Sequence, residues 1–415
     1  MNLFLGILLL VLLLIESKTK GDFDIFMSAS KDLLAGENIY QISYHEWYHY
    51  YYDVLFALLI SPLQFIPIYW ANFIWLLLNL FFTYRIWKII SFYLPVKVLK
   101  DKQQRWLKII SFFLVFSLWY KNIHLTQMTI FILYLCLEGI YAIEYKKTLL
   151  GSILIAVGIS IKILPILLIP YLIYRGYFKA IIYILIALAV VLFLPALIIG
   201  YEYHLFLLNE RWILINPLNK EHVLDVSERS FHSLTSLLSV LFVENAGNAH
   251  SLDLKRNIAN VNMETLQLII NAVRLFFIIL TLYFIRALPF KRTTNKLQLF
   301  YELSYILLII PLIFPHQQHY AFFFVFPAIS YLVFYILIKY FNAEKSNLSR
   351  PKKIALIGFV FVIYLLLNSH FILGAFRNIY DHYKTLTYGV LLIIPLLAIM
   401  RPTKIEGLLE EKEVV

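Results

Sequence analysis

Charge is scarce in this chain: Asp, Glu, Lys and Arg make up 15% of its 415 residues against 61% hydrophobic ones, and the mean hydropathy is +0.77. Those figures exclude an ordinary soluble domain. Cysteine is nearly absent. The single Cys136 lies inside an apolar run, which excludes an intrachain disulfide or a cysteine metal cluster and leaves packing as its role. The chain has no Gly-rich phosphate loop, nucleophile elbow or metalloprotease motif in a usable context, so nucleotide-sugar and ATP sites have no support. No alternating ten-residue pattern points to a β-barrel. Residues 1–15 lack the basic n-region and the small-x-small cleavage site of a signal peptide, so an uncleaved first transmembrane helix is expected there.

What is present is a succession of apolar runs near the ~20 residues that span a bilayer as a helix. The expected fold is all-α, a polytopic transmembrane helical bundle of about eleven crossings, forming one integral membrane domain over residues 1–415. Trp106–Tyr120 is expected to be one of those crossings, and Val54–Ile66 to be embedded without fully crossing. The net charge of +11 comes from Lys and Arg concentrated in short loops such as Lys97–Lys108, as in cytoplasmic loops, so it reports topology and not a nucleic-acid partner. On that topology residues 16–52 form a first outer loop. Residues 200–264 form a large outer loop with an amphipathic surface helix over Ser230–Phe242, and residues 401–415 are a cytoplasmic tail. The expected location is a cell membrane, of bacterial inner-membrane type, with the working face outside.

The first outer loop organises the functional reading. Phe23, Phe26, Met27 and Leu34 share one helical face and Asp24, Ser28, Lys31 and Asp32 the other, with the helix stopped at Gly36. Asp22 stands at its start, where free N–H groups and the helix dipole favour an ionised carboxylate. It is either a general base or a plain N-cap. Tyr40, Tyr44, Trp47, Tyr48, Tyr50, Tyr51 and Tyr52 follow as an aromatic cluster of the kind found at membrane interfaces. Lys162, between the half-length runs Leu149–Ile161 and Leu164–Tyr174, is expected at the outer end of a helical hairpin, as a functional cation or as a snorkelling lysine. His316 and His319, spaced to share a helix face, make a poor metal site without a carboxylate or cysteine close by in sequence. Hydrogen bonding to phosphate or sugar, or an interfacial position, suits them better. The outer face thereby collects Asp22, Asp24, Gln127, Lys162, Arg229, His232, His316, His319 and the tyrosines. A carboxylate base, phosphate-holding cations and aromatic surfaces suit transfer from a lipid phosphate donor.

Several stretches form a recognisable series: Asp22-Phe23, Phe26, Ala29, Leu33-Leu34, Gly36 and Tyr40; Phe56–Leu59, Ser61-Pro62-Leu63 and Ile66-Pro67; Thr126-Gln127-Met128-Thr129; Gly151, Gly158, Lys162 and Pro165; and Pro315, His316, His319 and Pro327. In this series the chain resembles the polyprenol-phosphate-dependent mannosyltransferases of glycosyltransferase family 87, in the GT-C class of membrane glycosyltransferases. Three places depart from the family pattern. Tyr51-Tyr52-Asp53-Val54 stands for Tyr-x-Pro-Pro, Thr126 for the Gly of Gly-Gln, and Glu228-Arg229-Ser230 for Asn-Gln-Ser.

The resemblance implies an inverting reaction in which Asp22, or Asp24 in its place, deprotonates an acceptor hydroxyl that displaces a polyprenyl phosphate from a hexose, mannose by family habit. Lys162, His316 and His319 would stabilise the leaving phosphate. Gln127 and Arg229 would bind donor phosphate or sugar, and Tyr40, Tyr51 and Tyr52 would line the site. It implies no cofactor and no metal. The partners are a lipid-linked sugar donor, a lipid or glycan acceptor and membrane lipids. The competing class is a lipid-linked glycan transporter or flippase, or a glycan polymerase. A transporter places its essential charges near the bilayer midplane, open to both sides, whereas these residues gather on one side.

Overall fold

The structure, a computed structural model, describes residues 2–44, 48–216, 230–244, 246, 252–341 and 349–413; Trp47 and Arg229 lie outside the described residues. In chain order the first helices are α1 (Asn2–Glu16), α2 (Asp22–Leu34), α3 (Val54–Ile60), α4 (Ile68–Tyr93), α5 (Asp101–Leu114), α6 (Phe116–His124) and α7 (Thr129–Glu144). Then come α8 (Thr148–Ile161), α9 (Leu168–Tyr174), α10 (Phe178–Phe193), α11 (Ala196–Ile199), α12 (Tyr201–Ile215), α13 (Leu234–Phe242) and α14 (Met263–Ile285). The last are α15 (Lys296–Ile313), α16 (Phe326–Tyr340), α17 (Arg350–Ile372), α18 (Arg377–His382), α19 (Thr385–Ile399) and α20 (Glu406–Glu413). Among the described residues β structure is limited to two isolated bridges, Tyr44 with Tyr48 and Phe231 with Gln318. The fold is all-α.

Among the described residues six helices are long and apolar enough to cross a membrane, or up to eight if two bent pairs each count as one span. That is fewer than the about eleven crossings expected: Gly6–Glu16, Thr148–Ile161 and Leu164–Tyr174 form helices of only 10–17 residues, as does Val54–Phe65, which is expected to be embedded without crossing. The expected crossing Trp106–Tyr120 is itself broken at Val115. Asn368 of α17 fills the break, donating to Leu114 O and accepting the Ser117 N–H, both at 2.9 Å; a side chain inserted into the backbone ladder is an ordinary cause of a broken helix. Several spans present most of their surface outward. Phe178–Ile199, Met263–Ile285 and Arg350–His370 are 22%, 22% and 17% buried within the protein, and apolar faces of that extent on long helices belong against lipid. The chain is a multi-pass membrane protein.

The chain divides into two compact units: residues 1–89 with 120–222, and residues 90–119 with 223–415. In the first, α7 and α8 approach so closely that a Cβ on Gly151 would collide with Gly139 O and lie 2.9 Å from Ile143 N. Only glycine permits that approach, as small residues commonly do between membrane helices. Arg85 of α4 and Glu138 of α7 form a two-pronged ion pair at 2.6 and 2.8 Å, so each charge brings its own counter-charge.

In the second unit α15 and α16 form the centre, almost wholly buried. Their tyrosine hydroxyls reach backbone carbonyls, Tyr301 to Leu397 at 2.9 Å, Tyr305 to Phe277 at 2.7 Å and Tyr331 to Met400 at 2.7 Å. A buried phenol needs such a partner. The amphipathic helix expected over Ser230–Phe242 forms as α13, but it is not a surface helix. Leu234, Thr235, Ser236, Leu237, Ser239 and Val240 are buried against α14 and α15, and Ser233 caps its start by accepting the Ser236 N–H.

Candidate active site

Helix α2 begins at Asp22, as the sequence pattern predicts, and its buried face carries Phe23, Ile25, Phe26, Met27, Ala29, Ser30 and Leu33. Leu34, expected on that face, is 56% exposed, and Leu33 takes its place at 1%. Gly36 ends the turn in a left-handed conformation, φ +85°. The start of the helix separates its two carboxylates. Gly21 is the N-cap, and the Asp24 carboxylate, three residues on, closes the end by accepting the Gly21 N–H at 3.1 Å. Asp22 is therefore not the cap. Its carboxylate accepts a short hydrogen bond from Gln127 Nε2.

The turn before α7 holds this arrangement in place. Leu125 O accepts the Asp22 N–H at 3.0 Å, Thr126 Oγ1 accepts the Phe23 N–H at 3.1 Å, and Thr126 O accepts the Trp75 indole N–H at 3.2 Å. Thr126 is buried with φ +50°. Glycine adopts that left-handed backbone without strain. Threonine strains the backbone but supplies the hydroxyl that Phe23 uses.

Lys162 terminates α8, leaving it in an extended conformation. Burial pushes its ammonium down to about 8, while the nearby Asp22 carboxylate pulls it up. Burial and the same carboxylate raise the Tyr52 phenol, which stays protonated. The Asp22 carboxylate is thus bonded to Gln127 and within electrostatic range of Lys162 and Tyr52, groups from four separate parts of the chain. The arrangement offers a carboxylate able to accept a proton and a cation able to face a phosphate.

The tyrosine cluster divides between core and surface, with Tyr48 46% exposed. Tyr40, Tyr44, Tyr50 and Tyr52 are buried, whereas Tyr51 is 50% exposed. Phe26 stands edge-on to Tyr52 at 4.7 Å, and the Tyr40 and Tyr50 hydroxyls donate to Tyr52 O at 3.0 Å and Asp53 O at 2.8 Å. Because the hydroxyls find backbone partners, the rings become core. A second polar group adjoins them. Asp53, fully buried, pairs with Arg211 at 2.9 Å and accepts a short hydrogen bond from the Ser160 hydroxyl. Its one signal in the sequence is the acidic residue where the family pattern has proline; nothing in the spacing pointed to Arg211.

The second unit has its own polar cluster. The Asp381 carboxylate bridges His232 Nε2 at 3.3 Å and His370 Nε2 at 3.4 Å, and the His319 ring lies 4.9 Å from that of His370. Burial pushes His232 down to about 4, against the Asp381 contact that pulls it up, so the ring is neutral at pH 7. His316 and His319 do not share a helix face. A 3₁₀-helix begins at His319, while His316 sits before it in a left-handed turn, φ +54°, with its ring edge-on to Phe231 at 5.0 Å. Among the described residues no group of three His, Cys, Asp or Glu side chains is placed to hold a metal ion. His370 and Asp381 were missed because they follow the resemblance series and carry no motif.

Comparison with curated proteins and with solved structures finds no match. The family model of glycosyltransferase family 87 matches residues 50–315, well over half of the chain, including Gln127, Lys162, Asp53 and Arg211 and beginning after Asp22. With an all-α, multi-pass architecture that fits the GT-C class, the chain belongs to glycosyltransferase family 87 and is a membrane glycosyltransferase.

Proposed function

We propose that the chain moves a hexose, mannose in the reading that the resemblance favours, from a polyprenyl-phosphate donor to a hydroxyl of a lipid or glycan acceptor. The transfer takes place at the outer face of a cell membrane by one inverting displacement. The observation that carries this reading is the division of labour at the start of α2. Asp24 is closed on the Gly21 N–H, whereas the Asp22 carboxylate accepts from the Gln127 amide and lies within electrostatic range of Lys162.

In the step itself Asp22 takes the proton of the acceptor hydroxyl as that oxygen bonds to the anomeric carbon. The bond from the anomeric carbon to the phosphate oxygen breaks, its electron pair leaves with the lipid phosphate, and the Lys162 ammonium meets the growing charge. Gln127 orients the base through its hydrogen bond. A base and a cation are supplied by the chain, so the reading invokes neither nucleotide nor metal.

The test is transfer by purified full-length protein from polyprenyl-phosphate mannose to extracted lipid acceptors, comparing wild type with Asp22→Asn and Asp24→Asn. Asparagine can still accept the Gly21 N–H, so Asp24→Asn is expected to transfer. Asp22→Asn is expected to fold and not transfer. Undiminished transfer by Asp22→Asn would remove it as the base.

A further inference from the structure

We propose that Arg211 is a positioning residue of the transfer site, setting Lys162 and the Tyr52–Asp53 corner against Asp22; this rests on the reading of Asp22 and Lys162 given above. The Arg211 guanidinium joins three stretches of chain. Nη1 donates to Asp53 Oδ1 at 2.9 Å and Nη2 donates to Ser160 O at 2.7 Å. Asp53 Oδ1 also accepts the Val54 N–H at 2.9 Å, capping α3, and Oδ2 takes the Ser160 hydroxyl. Ser160 lies in the last turn of α8, where carbonyls lack intrahelical partners, and a cation there suits the helix dipole. Lys162 follows two residues later.

The rest of α12 fastens to the same region. Tyr203 donates to Glu37 O at 2.6 Å, and the Glu210 carboxylate accepts from Asn38 and Gln41, each at 2.8 Å. Helix α12 thus lies along the loop between α2 and α3, and Arg211 carries the connection on to the end of α8. Only a planar fork can serve two acceptors in fixed directions; an ammonium is a point charge. The aspartate at position 53 also gains a reason. Proline in the family pattern would start α3 through its fixed φ, but it could not bind Arg211.

The experiment uses the full-length protein with Arg211→Gln, Arg211→Lys and Asp53→Asn. It reads kcat and KM for polyprenyl-phosphate mannose, the unfolding temperature, and the pH midpoint of Lys162 acylation by an amine-reactive reagent, followed by peptide mass spectrometry. For Arg211→Gln, kcat falls about 100-fold with KM nearly unchanged, the pattern of a misplaced group that acts in the transition state. The Lys162 midpoint rises from about 8 toward the ordinary 10.5 as its surroundings loosen. Arg211→Lys keeps the bond to Asp53 and loses Ser160, so it falls between, about tenfold down in kcat. It carries the test if the glutamine variant does not fold. Wild-type kcat, KM and Lys162 midpoint in these variants, with only a lower unfolding temperature, would reduce the pair to a fold-stabilising contact. Should Asp22→Asn transfer normally, the site reading fails, while the Lys162 midpoint still decides the role of Arg211.

Discussion

Two carboxylates, one in each unit, show how the same chemical group is used differently. Asp22 stands at a helix start, partly exposed, accepting from the Gln127 amide and with an ammonium close enough to feel its charge. Asp381 lies between two imidazoles in a buried setting closed further by backbone contacts, the Thr387 hydroxyl reaching His232 O at 2.6 Å and Tyr380 reaching Leu366 O at 2.7 Å. In the proposed reaction the first carboxylate takes a proton from the acceptor hydroxyl. The second is enclosed among its neighbours. On the proposed reading, a partly exposed carboxylate at an element's end reacts, while one enclosed between buried rings secures packing.

The sharpest way to break this comparison is to neutralise each carboxylate in turn. Asp22→Asn should lower kcat by about 10³-fold, within the usual reach of a general base, with the unfolding temperature unchanged. Replacing its neighbour, Lys162→Met, should cost about 100-fold in kcat, the scale of one charge-stabilising group. In wild type, transfer should decline as pH rises through about 8, where Lys162 loses its proton, and the methionine variant should lack that decline. Asp381→Asn should behave oppositely, destabilising the fold by about 1–3 kcal/mol through two poorly satisfied imidazoles and lowering kcat of the folded protein less than tenfold. Loss of transfer at an unchanged unfolding temperature would place Asp381 in the reaction and erase the distinction.

The titration of His232 sharpens the contrast at acid pH. Its ring holds a proton below about 6.5 when unfolded but only below about 4 when folded. Stability is therefore complete above pH 6.5 and lost as pH falls from there to 4, at about 1.4 kcal/mol per pH unit at most. His232→Asn should flatten that slope, measured by thermal unfolding across pH. The smallest effect is expected at Thr126→Gly, which relieves a left-handed backbone and forfeits the acceptor for Phe23 N–H. These nearly cancel, leaving stability within about 1 kcal/mol of wild type; a larger loss would show that the hydroxyl matters more than the strain.

What could be read from the sequence alone is local. Apolar composition and run length made the chain a multi-pass helical protein, because the cost of leaving a backbone unpaired in lipid acts on every segment separately. The start of α2 at Asp22 and its stop at Gly36 were legible for the same reason, since caps and glycine turns act within a few residues. The ordered motifs disclosed the family. Tertiary structure decided the partners: Gln127 for Asp22, 105 residues away, and Arg211 for Asp53, 158 residues away. It also drew Tyr40, Tyr44, Tyr50 and Tyr52 into the core, split the run at Val115 around Asn368, and parted His316 from His319. Contacts between helices far apart in the chain leave no periodic trace, because they depend on which faces meet, and that is settled only when the helices pack.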